Sequence, residues 1–170
     1  MSSRVMWGKF KKGRVKVAVI VAYAPCAEED REDFWRDVEE IYNGIGEAYR
    51  RFVIGDLNVW VGNIVVDGIV ERYGVPGIND NGRKVIDFCA GMELCIANTF
   101  YKHKLICRYT RYGVMSKSMT DFVLVKREML RWIHDIKCMR GLSGGVSDHL
   151  IVLCRVKLDF EWTRQNRRVD

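Results

Sequence analysis

None of the six cysteines, Cys26, Cys89, Cys95, Cys107, Cys138 and Cys154, pairs with another at C-x-x-C spacing. His103 and His134 each stand four residues before a cysteine, but no second metal-like pair accompanies them. A zinc site therefore has no spacing to rest on, and buried free thiols are the expectation. No apolar run reaches the length of a membrane span, and no secretory signal precedes the first strand, so the chain reads as soluble and intracellular. Internal repeats and low-complexity linkers are lacking as well. The 170 residues then read as one domain with a sizeable core.

What is present is bulk and a modest positive charge. Hydrophobic residues make up 48% of the chain, which argues against disorder. Lys and Arg outnumber Asp and Glu by 28 to 22, a formal +6. That excess suits a polyanionic partner, and it equally suits solubility.

The hydropathy pattern mixes strands and helices. "VMWGKFKKGRVKVAVIVAYAP" predicts two strands joined by a basic turn at Lys11-Lys12-Gly13, the second strand ending at Tyr23-Ala24-Pro25. "EEDREDFWRDVEEIYNGI" carries acids in its first turn and Phe34, Trp35, Val38, Ile41, Tyr42 and Ile45 at helical spacing. Phe52-Val53-Ile54 reads as a short buried strand that Gly55 ends. A glycine-rich loop, 61–78, separates it from a second helix capped by Asn79 or Asp80, with Val85, Phe88, Cys89 and Met92 inward. "LCIANTF", "CRYTRYG", "MTDFVLV", "WIHDIKCM" and the alternating "LIVLCRVKL" read as further strands, with a loop "GLSGGVSDH" before the last. The tail, 159–170, is polar and reads as frayed. Without a strict βαβ alternation, the class is α/β or α+β around a layered sheet.

Polar residues stand at several strand ends. Asp56 and Asn58 follow the Phe52 strand two residues apart, so an extended chain would turn both to one face. A D-x-N pair in a loop also has a plainer reading, in which both side chains bond nearby backbone. Tyr23, Asp121 and the run Ser147-Asp148-His149 sit at other strand ends, each with its own plain explanation.

Taken in order, A-Y-A-P, G-D-L-N, T-D-F-V-L and S-D-H resemble the endonuclease/exonuclease/phosphatase superfamily. Within it the chain is most similar to the endonuclease domains of non-LTR (LINE-type) retrotransposons. "RVMW", "VIGDLN", "NGRKVIDFC", "NTFYKHK" and "RYTRYG" support this, and the resemblance runs over 4–158 as a partial domain. It implies a two-sheet, four-layer α/β sandwich with the active site at one rim, a divalent metal (magnesium, or manganese) and phosphodiester hydrolysis on DNA. By the same resemblance Asp56 positions or deprotonates water, Asn58 holds water and phosphate, and Tyr23 contacts phosphate. His149 stabilises the phosphoryl oxygens, Asp121 orients its ring, and Asp148 helps hold the metal. The chemistry is coherent, since a phosphodiester needs an oriented water, a positive clamp and a metal to absorb charge.

Two departures stand out. The resemblance begins inside the family's middle, and the family's metal-binding glutamate has no match, because Glu28 and Glu29 come after Tyr23 on the first helix. Thr120 also stands before Asp121 where the family has an aliphatic residue. Two functions remain open: the C-terminal portion of a magnesium-dependent DNA endonuclease, inactive or weakly active alone, or a non-catalytic module that binds nucleic acid or protein. The partners implied are DNA, a second copy or a completing chain, and a nuclear location.

Overall fold

The structure, a computed structural model, describes residues 4–27, 30–113, 116–140 and 147–158. The expectations on Glu28 and Glu29, on most of the loop before Asp148 and on the 159–170 tail lie outside the described residues.

The two predicted N-terminal strands form an antiparallel hairpin, β1 (Val5–Lys12) and β2 (Val15–Ala22), turning at Gly13 with φ 58°. Helix α1 (Arg31–Gly44) then crosses over to β3 (Arg50–Asp56), which lies parallel to β2. Helix α2 (Asp80–Gly91) follows the long loop. Its cap is Asn79, whose side chain accepts from the Gly82 amide at 2.8 Å, meeting a donor otherwise left open in the first turn. The remaining strands are β4 (Leu94–Ile96), β5 (Arg111–Tyr112), β6 (Lys117–Ser118), β7 (Asp121–Lys126), β8 (Ile133–Met139) and β9 (Ile151–Val156). Among the described residues the main sheet has the order β1-β2-β3-β7-β4, with β5-β6 and β8-β9 as separate two-stranded pairs.

The central strands are buried on both faces, so their sequences lack polar alternation. Val53, Phe122, Leu124 and Ile96 face α1 and α2, meeting Phe34, Val38, Tyr42, Val85 and Cys89. Phe52, Cys95, Val123 and Val125 face the other way, onto Ile133 and Ile136 of β8. The result is a mixed α/β stack of helices, main sheet and a small second sheet, and neither sheet closes. Among the described residues the hairpin lacks a cover on the second face: Met6, Phe10 and Val21 are exposed by 70%, 63% and 40%. Among the described residues no helix is long and apolar enough to cross a membrane.

Three sequence expectations are corrected here. "CRYTRYG" yields only the two residues of β5, and a 3-10 turn at Leu105–Cys107 precedes it. "LCIANTF" is strand only to Ile96 and becomes a 3-10 turn over Ala97–Phe100. Gly55 does not end the third strand either, because β3 runs through it to Asp56, with Gly55 opposite Phe122. The glycine serves close approach instead: its φ is 141°, and a Cβ there would lie 1.9 Å from the Ala22 carbonyl oxygen.

Gly55→Ala is therefore expected to destabilise by more than about 3 kcal/mol or to prevent folding, since both the backbone angle and the contact forbid it. Gly13→Ala, with a positive φ but nothing within 4 Å of its Cβ, should cost only about 1 kcal/mol. Urea unfolding of the two variants beside wild type checks this ranking.

Candidate functional site

The rim of the main sheet at the C-terminal ends of β2 and β3 gathers the polar residues. Asp56 ends β3 and lies directly opposite Asp121, the first residue of antiparallel β7. The Ala24 amide, just past β2, donates to the Asp56 carbonyl at 2.9 Å and so brings the Tyr23 segment alongside. His149 enters from another part of the chain, through an antiparallel bridge with Arg111 of β5. Its Nδ1 is 3.0 Å from Asp121 Oδ2, and its Nε2 is 3.7 Å from Asp56 Oδ2. One ligand atom from each of Asp56, Asp121 and His149 fits within a mutual 4.8 Å.

Residues without an obvious motif hold these groups in place. Thr110, fully buried, accepts at Oγ1 from the amides of Thr120 (2.9 Å) and Asp121 (3.1 Å). Its carbonyl takes the Leu150 amide at 2.7 Å. One residue thus ties the start of β7 to the chain next to His149. Asn98 accepts at Oδ1 from the Val123 amide (2.7 Å) and donates from Nδ2 to the Asp121 carbonyl (3.2 Å), bracing the start of β7 as well. Arg31, buried in the first turn of α1, donates from Nη2 to the carbonyls of Cys26 (3.3 Å) and Asn58 (3.4 Å). Thr120 Oγ1 lies 3.3 Å from Asp121 Oδ2 and bonds it. The aliphatic residue that the family pattern puts there has no such group. Sequence reading passed over Thr110, Asn98 and Arg31, because the bonds through which they act, except that of Arg31 to Cys26, reach residues 10 to 40 positions away and carry no local signature.

The other three candidate residues are placed differently. Asn58 is not on extended chain: its φ is 50°, a left-handed conformation that asparagine tolerates better than most. Its amide donates to Asp56 Oδ1 at 3.0 Å and its Nδ2 donates to the Ala24 carbonyl at 2.7 Å. The D-x-N pair therefore makes the backbone bonds of the plainer reading and stands at the rim as well. Tyr23 is half exposed, with the Arg4 guanidinium 5.7 Å from its ring centre. Asp148 turns to Arg111, whose Nε donates to its Oδ2 at 2.8 Å, and it lies outside the group of three.

The electrostatics separate the acids. Burial raises the Asp56 pKa above the ordinary carboxylate value. The Asn58 amide opposes that rise, the Asp121 charge adds to it, and His149 and the Thr120 hydroxyl oppose it in turn. Asp148 is the reverse case: the hydrogen bond from Arg111 holds its carboxyl below the usual range, and the same pair raises Arg111. The cysteines take no part. All six are free, with Cys89, Cys95 and Cys138 buried. Burial pushes the thiols of Cys95 and Cys138 up to about 12. His103, one of the two histidines set near a cysteine, bonds Asp135 at 2.6 Å instead.

The chain is similar to craniofacial development protein 2 of Tragulus javanicus, 25% identical over 165 residues, and to that of Bos taurus at 24%. Each match covers 94% of this chain, which spans only 29% and 28% of those two relatives. No family model matches. Among solved structures it superposes on the endonuclease domain of TRAS1, a telomere-specific non-LTR retrotransposon, with TM-score 0.68 and 13% identity, over 91% of this chain and 64% of that one. The 3'-5' exonuclease NExo from Neisseria meningitidis gives 0.64 at 16% identity, over 91% and 65%. An AP endonuclease from Archaeoglobus fulgidus gives 0.59 at 15%, over 91% and 70%. The fold is thus that of the endonuclease/exonuclease/phosphatase nucleases, in keeping with the motif resemblance.

A carboxyl whose folded pKa is raised binds a proton more tightly in the folded chain than in the unfolded one. Stability therefore falls as pH rises from the ordinary carboxylate value through the raised one, and the full penalty stands at neutral pH. Asp56→Asn, which keeps an acceptor for the Asn58 amide, is expected to stabilise by about 1 kcal/mol at neutral pH. That gain should shrink on acidification. Urea midpoints of both proteins across mildly acid to neutral pH measure it, and a loss of stability at neutral pH contradicts it.

Proposed function

We propose that this chain is the C-terminal portion of a retroelement-derived, magnesium-dependent DNA endonuclease, with at most weak phosphodiesterase activity on its own. The observation that carries this reading is the cluster of Asp56, Asp121 and His149 at the rim of a nuclease fold. The similarity to a retrotransposon endonuclease domain supports the retroelement origin.

Each side chain has a role that its surroundings suit. Asp56, whose proton affinity is raised by burial, accepts a proton from water more readily than an ordinary carboxylate. An ionised Asp121 takes the Nδ1–H of His149 and fixes the ring, leaving Nε2 directed toward Asp56. Protonated at both nitrogens, His149 offers positive charge to a phosphoryl oxygen. Tyr23 and Asn58 border the same rim and contact the phosphate. Two carboxylates with one imidazole suit a hard divalent ion that keeps several waters, magnesium or manganese. Asp56 and Asp121 would hold it, and Asp148 would join only by exchanging its Arg111 partner. The ion's contribution is to draw charge from the phosphate.

Weak activity follows from the small number of charged ligands at the rim. The chain matches 64% of the TRAS1 domain, and its few charged ligands bind magnesium loosely. A deficit of about 4 kcal/mol in transition-state stabilisation lowers the rate roughly a thousandfold. Among the described residues β1 is an edge strand of the main sheet, and its open edge would pair with a second copy or a completing chain. A second reading, a non-catalytic module for nucleic acid or protein, is favoured by Asn58 and Asp148 already being engaged with Ala24 and Arg111.

Plasmid nicking with magnesium, and with the metal chelated, tests the proposal beside the TRAS1 domain. Nicking should be roughly a thousandfold slower than with that domain, require the metal, and vanish in His149→Ala. Manganese should also broaden the His149 ring resonances in an NMR spectrum. Nicking that persists without metal or without His149 overturns the reading. An absence of both nicking and broadening leaves the non-catalytic module.

A further inference from the structure

All of the chain's net charge sits on one hairpin. Between Arg4 and Ala27 there are six basic residues (Arg4, Lys9, Lys11, Lys12, Arg14 and Lys16) and no acidic one. Setting those six aside leaves 22 Lys and Arg against 22 Asp and Glu, so the rest of the chain is balanced.

The sheet topology puts most of this charge away from the candidate site, Arg4 beside Tyr23 being the exception. β2 starts at Val15 beside the turn and ends at Ala22 beside Asp56. At roughly 3.3 Å per residue the two ends lie about 23 Å apart. Lys11, Lys12 and Arg14 are at the far end, so a phosphate held by His149 is out of their reach.

Aromatic rings accompany the cations. Phe10, Met6 and Trp7 on β1 are exposed by 63%, 70% and 45%. Lys9 Nζ lies 5.2 Å from the centre of the Trp7 ring and 5.3 Å from that of Tyr49. The pairings Met6–Val21 and Phe10–Val17 put Met6 and Phe10 on one face with Lys12, opposite the helix face that carries Trp7. Asp37 and Glu40 of α1 line the hollow beside Trp7, so an anion is steered to the turn and the Phe10 face. Lysines on an edge strand also deter stray strand pairing. That role explains the charge but not the exposed rings among it.

We propose that the turn of this hairpin and its Phe10 face form a second binding surface, for the backbone and bases of a single-stranded nucleic acid, separate from the Asp56–Asp121–His149 cluster. Cations that follow phosphates, beside a ring on which a base stacks and an apolar face next to it, are what a single strand requires. A duplex keeps its bases covered and leaves Phe10 unused. The proposal stands whether or not the cluster hydrolyses anything.

Fluorescence anisotropy with a labelled oligothymidylate of about twelve nucleotides, in chelator, tests it. Three phosphate contacts on a single strand predict about twentyfold weaker binding as salt rises from about 50 to about 200 mM. The combined variant Lys11→Gln, Lys12→Gln, Arg14→Gln should lose most of that salt dependence. Phe10→Ser should weaken binding about tenfold, while Arg83→Gln, which removes an exposed cation of α2, should bind as wild type does. Should the combined variant not fold, Lys12→Gln alone reads the same salt slope. Undiminished binding by the hairpin variants, equal loss in Arg83→Gln, equal affinity for a blunt duplex, or preference for phosphatidylserine vesicles would each overturn the proposal.

Discussion

Asp56 and Asp121 meet across one antiparallel pair of strands, and the site depends on that register. Four residues of β3 pair with four of β7, ending with acid opposite acid. A slip of one residue would turn every side chain to the other face, sending Asp121 away from His149 and Val123 and Val125 out of their cluster. The apolar packing on both faces of β7 therefore protects the polar geometry at its end. Asn98 and Thr110 add hydrogen bonds at the same point, so the strand is held by its faces and by its start.

That register has an electrostatic cost. Two carboxylates at a partly buried strand end repel each other and lose water. His149, the Asn58 amide and the Thr120 hydroxyl offset part of it at Asp56. Such an arrangement is poor for stability and useful for binding a cation or moving a proton, which is the usual relation between stability and function at a site. Asp148 and Arg111, by contrast, satisfy each other in the open.

Charge is divided along the sheet. The end of β2 near Asp56 is polar and balanced, with acids, a histidine and an arginine in contact. The other end is basic and carries the exposed Phe10 ring. The candidate site and the proposed second surface thus lie at opposite ends of β2.

Much of this was legible in the sequence because it is local. The central strands announce themselves by β-branched runs, α1 by apolar residues at helical spacing, and α2 by its Asn79 cap, since each pattern reflects burial of one element's own face. The motif residues Asp56, Asn58, Asp121 and His149 were legible by their place at strand ends. The polar contacts that hold them were not. Thr110 and Asn98 are ordinary polar residues until the fold sets them beside the amides of β7, and Gly55 reads as a terminator until Ala22 lies against it. The partner of Asp148 was hidden too, because Arg111 reaches it across 37 residues of chain. Sequence by itself determined where the central strands and both α-helices fall and which side chains are candidates for the chemistry, because propensity and periodicity act over a few residues. Only the tertiary structure decided register, close approach and ion-pair choice, because these depend on atoms that the chain brings together from far apart.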